Sequence, residues 1–200
     1  MYMSTTSQDF SLIKSFVDKY FDFMDGLGEN VDSTEYIPAI MIDPNRKGDE
    51  YSSYWLAIAS TVTDAEIGEL EALLQHPLPD SFKFLLKYRH FIDLYPGEEG
   101  FKFFGNMPQR LVQTYKKNID IRYKKALERN YLPFAHFMDI GVLCFDANAK
   151  VANNDYPIVL LKNRKEGYNE QEFYANNFLE MFKAFDAELD DLIKANLNDN

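Results

Sequence analysis

The stretch STVTDAEIGELEALLQHPLPDSFKFLLKYR, residues 60–89, constrains the fold of this chain more than any other. Thr63 can accept the backbone N–H of Glu66 while the Glu66 carboxylate reaches back, the reciprocal pairing that starts a helix. Ile67, Leu70, Leu73 and Leu74 then follow at three- and four-residue steps, which predicts one buried stripe. Pro77 ends that helix, and Pro79 suits the first turn of another, which buries Phe82, Leu85 and Leu86. Two short helices therefore meet at a tight Leu-Pro corner.

Upstream, Phe10, Ile13, Phe16, Val17, Tyr20, Phe21 and Met24 recur at helical spacing and are followed by Gly26 and Gly28, which predicts an amphipathic N-terminal helix over residues 9–25. The segment EYIPAIMIDPNRKGDEYSSYWLAIAST holds two short strand-like runs around Pro44 and Gly48, and reads as a hairpin-like excursion or a loop. Downstream, YPGEEG is turn chemistry and FKFFG a short strand. Leu111, Tyr115, Ile119, Tyr123 and Ala126 mark one face of a helix between Pro108 and Asn130. VLCFD and YPIVLLK read as strands. A long closing helix begins at Asn177, with Glu180 three residues on, and is expected to bury Phe178, Met181, Phe182, Phe185, Leu189, Leu192 and Ile193.

At 200 residues, with no internal repeat or linker, one α+β domain over residues 1–200 is the economical reading: a small, mostly antiparallel sheet flanked by helices. The start MYMSTTSQDF has no basic or apolar leader character, no apolar run approaches bilayer length, and the one cysteine cannot pair within the chain, which together predict a cytoplasmic protein. A formal charge of −11 disfavours nucleic acid and anionic membranes as partners and favours a basic one. The charge is uneven: Arg110, Lys116, Lys117, Arg122, Lys124, Lys125 and Arg129 gather in one segment, and the end of the chain is acidic.

Chemistry-bearing residues are few. Cys144 and His136 are the only thiol and imidazole close in sequence, but Cys144 lies inside VLCF, where a cysteine is a small buried hydrophobe. Asp139 and Asp146 could form a carboxylate pair, but both fit turns: Asp139 precedes Ile140-Gly141 and Asp146 closes a strand. His76, His90 and His136 lack metal-ligand spacing, and no glycine-rich phosphate loop or dinucleotide fingerprint is present, so neither a metal nor a cofactor is expected.

Taken together, residues 60–86, the run YLPFAHFMDIGVLCFD, the strand NDYPIVLLK and the helix from Asn177 resemble, in order and spacing, the SUKH superfamily, which includes the Smi/Knr cell-wall regulators of fungi. The resemblance spans residues 54–192 and leaves the N-terminal helix outside. Where the family carries Asn-Gly-Gly after its second helix, this chain has Arg89-His90-Phe91. The family's Asp-Gly-Gly turn is reduced to Asp139-Ile140-Gly141, and Trp55-Leu56-Ala57 replaces a Trp-Lys-Pro-like step. The resemblance implies a SUKH-like fold and a bacterial immunity protein that binds a cognate protein toxin, such as a basic nuclease, without catalysis. The alternatives are a regulatory domain of the Smi/Knr type that binds a host protein, and a hydrolase using Cys144 or Asp146. The expected partner contacts are the aromatic residues Tyr51, Tyr54, Trp55, Tyr95 and Tyr168 and the carboxylates Glu98, Glu99 and Asp139.

Overall fold

A computed structural model describes residues 10–96, 100–138, 140–149, 151, 155–164 and 167–198; of residues 163, 164, 167–169 and 198 it describes the backbone alone. Its element order is α1 (Ser11–Leu27), β1 (Val31–Ser33), a 3-10 turn (Ala39–Met41), β2 (Ser52–Tyr54), β3 (Ile58–Ala59), α2 (Asp64–Leu74), α3 (Asp80–Tyr88), β4 (Arg89–His90), β5 (Phe101–Phe103), α4 (Leu111–Asn118), a π turn (Ile119–Tyr123), α5 (Lys124–Leu127), β6 (Tyr131–Phe137), β7 (Gly141–Asp146), β8 (Ile158–Arg164), β9 (Gly167–Ala175) and α6 (Phe178–Asn198). Strands β5 to β9 form a five-stranded sheet in sequence order, every pair antiparallel. Two small ribbons, β1–β2 and β3–β4, stand beside it. The α+β architecture with added N-terminal and C-terminal helices is the one the sequence predicts.

The capping box is present as read. The Thr63 side chain accepts the Glu66 N–H at 3.2 Å, and Glu66 Oε2 accepts the Thr63 N–H at 2.8 Å. Replacing Thr63 with alanine strips one of these bonds from an otherwise intact helix end. It is expected to cost about 1 kcal/mol, read as a fall of roughly 2–4 °C in Tm for a chain of this size. At the corner, Pro79 accepts the Phe82 N–H at 3.1 Å, and Glu71 of α2 accepts the Leu78 N–H at 2.8 Å. The turn between the two helices is therefore hydrogen-bonded as well as packed.

One face of the sheet meets α3 and α6 through phenylalanines. Phe82 lies 5.2 Å from both Phe145 and Phe178, and Phe134 lies 4.4 Å from Phe145. Pro133 stands inside β6, a strand paired on both sides; it has no N–H for the ladder, and the register shifts between Pro133 and Ala135. That bulge lets Phe134 join the aromatic cluster. Across the sheet, Phe104 and His136 pack against Tyr115 and Tyr123 of α4 and the π turn. Gly141 of β7 sits so close to β8 that a Cβ there would fall 2.1 Å from the Leu161 carbonyl oxygen, a spacing only glycine allows.

Helix α1 is docked by both packing and charge. Phe16 meets Phe182 edge-on at 5.1 Å, and Lys19 Nζ lies 2.6 Å from Asp186 and 2.5 Å from Asp190 of α6. On its flank, Asp18 accepts from Arg89 at 3.0 Å and from the Tyr88 hydroxyl at 2.5 Å.

Three features depart from the sequence reading. Residues 167–175 form a strand where none is expected: GYNEQEFYA is largely polar because β9 is the outer strand of the sheet. The helix expected between Pro108 and Asn130 is interrupted by the π turn, although all five residues of its expected stripe are buried. The buried stripe of α6 stops at Leu189, and Leu192 is 38% exposed because the last turns of the helix run past the sheet to the mouth of a cavity.

Candidate functional site

That cavity, of about 370 Å³, lies among α1, β1, the Asp93–Tyr95 segment and α6. Its position follows from local rules. Gly28 adopts a left-handed φ of 74° and closes α1, with the Gly28 N–H on Asp25 O at 3.1 Å and the Glu29 N–H on Met24 O at 3.0 Å. This cap swings Glu29, Asn30 and Val31 across the end of the helix. Asn30 O then accepts the Trp55 N–H at 2.9 Å, and Val31 pairs with Tyr54, so the β1–β2 ribbon carries the one tryptophan into the cavity wall.

The walls are apolar and the rim is acidic. Phe23, Met24, Val31, Trp55, Leu189 and Leu192 form the body, and Glu29, Asp93 and Glu188 stand around it. Burial pushes the Asp93 carboxyl above the ordinary carboxylate range, against the pull of the Lys102 ammonium 2.5 Å away. The same ammonium lies 5.3 Å from the centre of the Tyr95 ring. Tyr20 is held in place by its hydroxyl, which accepts the Tyr95 N–H at 3.1 Å, and burial pushes its phenol up to about 12. Asn30 is only 4% exposed, and among the described residues its side-chain amide has no hydrogen-bond partner.

Of the residues expected to meet a partner, the structure brings Trp55 and Tyr95 together at this cavity. Trp55 is 3% exposed and packs edge-on against Phe21 at 5.8 Å, so it serves the core and shows only a margin to the cavity. Tyr54 does not line it; the Arg46 guanidinium sits 4.9 Å above its ring. Tyr51 also stands outside the cavity and is 74% exposed. Glu98, Glu99 and Asp139 lie outside the described residues, as does the side chain of Tyr168. Sequence reasoning missed Glu29, Asn30, Asp93 and Glu188, which carry no motif and meet only through the fold.

Of the residues weighed for hydrolysis, Cys144, His136 and Asp146 are described and Asp139 is not. Cys144 is fully buried opposite Pro133, and burial pushes its thiol well above the ordinary range, away from the reactive thiolate. His136 stands opposite Val142 instead, its Nδ1 2.5 Å from the Tyr123 hydroxyl. Asp146 accepts the backbone N–H and side-chain amide of Asn148, both at 3.0 Å, in the turn that ends its strand. Among the described residues no cluster of three or more His, Cys, Asp or Glu is placed to hold a metal ion, and no helix is long and apolar enough to cross a membrane.

The family model described as the SMI1 / KNR4 family (SUKH-1) matches residues 61–184. The chain belongs to this SUKH family. No curated protein matches it closely enough to be named as a relative. Within the SUKH segment fall the Leu-Pro corner, the whole five-stranded sheet and the first turns of α6. Of the cavity's lining residues, only Asp93 and Tyr95 lie inside it; the rest come from α1, the β1–β2 ribbon and the later turns of α6.

Proposed function

We propose that this protein is a non-catalytic immunity protein, which binds a cognate toxin in the bacterial cytoplasm and blocks it. The observation that carries the reading is membership of the SUKH family over residues 61–184. Two physical features support it. The formal charge of −11 gives long-range attraction to a basic partner, such as a nuclease that must itself bind phosphate, and raises the rate of encounter. An apolar cavity with carboxylates at its rim offers the desolvated centre and polar border on which tight interfaces are built.

The test is co-expression with a toxin domain encoded beside this gene, which this reading predicts. Cells carrying both are expected to grow, and the two proteins are expected to co-elute from a sizing column at physiological salt. Cell death at the rate seen with toxin alone, together with separate elution, would sink the reading. The fungal members of the family favour a second reading, a regulatory domain that binds a host protein. It predicts no rescue from any neighbouring toxin, and retention of one host protein whether or not a toxin gene is present.

A further inference from the structure

We infer that the cavity between α1, β1 and α6 receives a basic side chain, that of an arginine or lysine projected by the partner protein. The inference rests on the partner-binding reading above and names the chemistry by which that binding is made selective.

The cavity combines an aliphatic and aromatic barrel with carboxylates at its mouth. A side chain whose long stem is apolar and whose tip is cationic matches both parts at once. The protein itself shows how the rim treats a cation: Lys102 places its ammonium 2.5 Å from Asp93 and 5.3 Å from the Tyr95 ring centre. Asp93 is thereby already matched, and Glu29, which also lines the cavity, has no side-chain partner among the described residues. Charge alone would not make a site of this.

The independent observation is Asn30. Asn30 is 96% buried as a residue and its amide makes no hydrogen bond among the described residues, yet the amide is not among the polar atoms sealed from solvent, so it opens onto the cavity it lines and can bond what enters there. Its carbonyl oxygen is the acceptor that a guanidinium or ammonium needs once its stem has entered the barrel.

The location strengthens the assignment. The cavity is built almost wholly from residues outside the segment shared with the family, so it belongs to what this chain adds to the common domain. A protein that must recognise one toxin and ignore its relatives needs a discriminating element of its own, and a pocket leaving a buried amide unmatched against the wrong side chain discriminates strongly.

Trp55 is the only tryptophan and lines the cavity, so its indole N–H resonance and its fluorescence report on this site alone. The experiment titrates the purified protein with Nα-acetyl-arginine amide, with Nα-acetyl-lysine amide and with the uncharged Nα-acetyl-norleucine amide. It follows the Trp55 indole and Asn30 amide resonances. Saturable shifts with one or both cationic probes are expected, with norleucine binding at least about tenfold more weakly. Glu29→Gln, a change at an exposed position, is expected to weaken cation binding roughly fivefold, and Asn30→Leu to remove most of the preference over norleucine. If norleucine shifts both signals as strongly as the cations, or if no probe moves them at millimolar concentration, the inference is wrong. Either result leaves the growth assay with the toxin untouched, and failure of that assay would leave the probe titration standing.

Discussion

Replacing Phe178 with alanine is expected to lower the stability of this protein by about 3–5 kcal/mol, the largest loss of any single truncation proposed. Phe178 is fully buried and opens α6 onto the sheet, with ring centres at 4.8 Å from Phe182, 5.2 Å from Phe82, 5.7 Å from Phe145, 5.9 Å from Phe134 and 6.2 Å from Phe103. Five aromatic neighbours from five elements cannot all collapse into the space a benzyl group leaves, so the cavity term adds to the transfer term. Against a total stability of roughly 5–15 kcal/mol for a domain, such a loss threatens folding at growth temperature. Urea denaturation provides the measurement: the midpoint should fall sharply with the slope unchanged. Phe173→Ala is the control, since that ring is 63% exposed on β9 and its loss should change stability by less than about 0.5 kcal/mol. Equal losses at the two positions would show that the aromatic cluster does not hold α6 to the sheet.

Acidification is expected to weaken the fold through His136. Burial, with the Arg122 and Lys102 charges acting in the same direction, lowers its imidazole to about 4. An unfolded chain takes up that proton near pH 6.5, so between pH 6.5 and about 4 the unfolded state binds a proton that the folded state refuses. Stability is therefore full above the unfolded value and declines as pH falls through this window. With allowance for solvent at the partly exposed ring, the loss is roughly 2 kcal/mol. The neutral ring has a further reason to persist, since protonation would remove the Nδ1 acceptor that faces the Tyr123 hydroxyl at 2.5 Å. His90, also lowered by burial, adds a loss of the same sign, whereas Asp93, raised by burial, works against it. The comparison that isolates His136 is thus between wild type and His136→Phe at pH 7 and pH 4.5. The variant should lose less on acidification, and identical losses would rule out this origin.

The parts of the fold that could be read from the residues are those governed by nearest neighbours along the chain. Thr63 and Glu66 cap each other three residues apart, Pro79 fixes a helix start, and Leu111 to Ala126 repeat at helical spacing; none of these depends on the rest of the molecule. Strand β9 was not legible, because residues 170–173 of this outer strand are all exposed, on both faces, and need no apolar alternation; Gln171 nonetheless accepts from the Tyr131 hydroxyl at 2.6 Å. The cavity was legible only in fragments. Trp55 and Tyr95 stand out as amphipathic aromatics, but Asn30 looks like any loop asparagine until the Gly28 cap folds it under the β1–β2 ribbon. Its isolation from hydrogen-bond partners is a property of four segments meeting, and no local pattern encodes it.

The contact at Gly141 acts on folding as well as on packing. Antiparallel strands of similar apolar content can pair one residue out of step, an error that inverts the faces of a strand and traps the chain. Here a slip either way would bring the branched side chain of Ile140 or Val142 to the point where even a methyl group would stand 2.1 Å from the Leu161 carbonyl. A shifted pairing of β7 and β8 could keep this close approach only by opening the ladder there, so the hydrogen at one residue favours the native register over its neighbours.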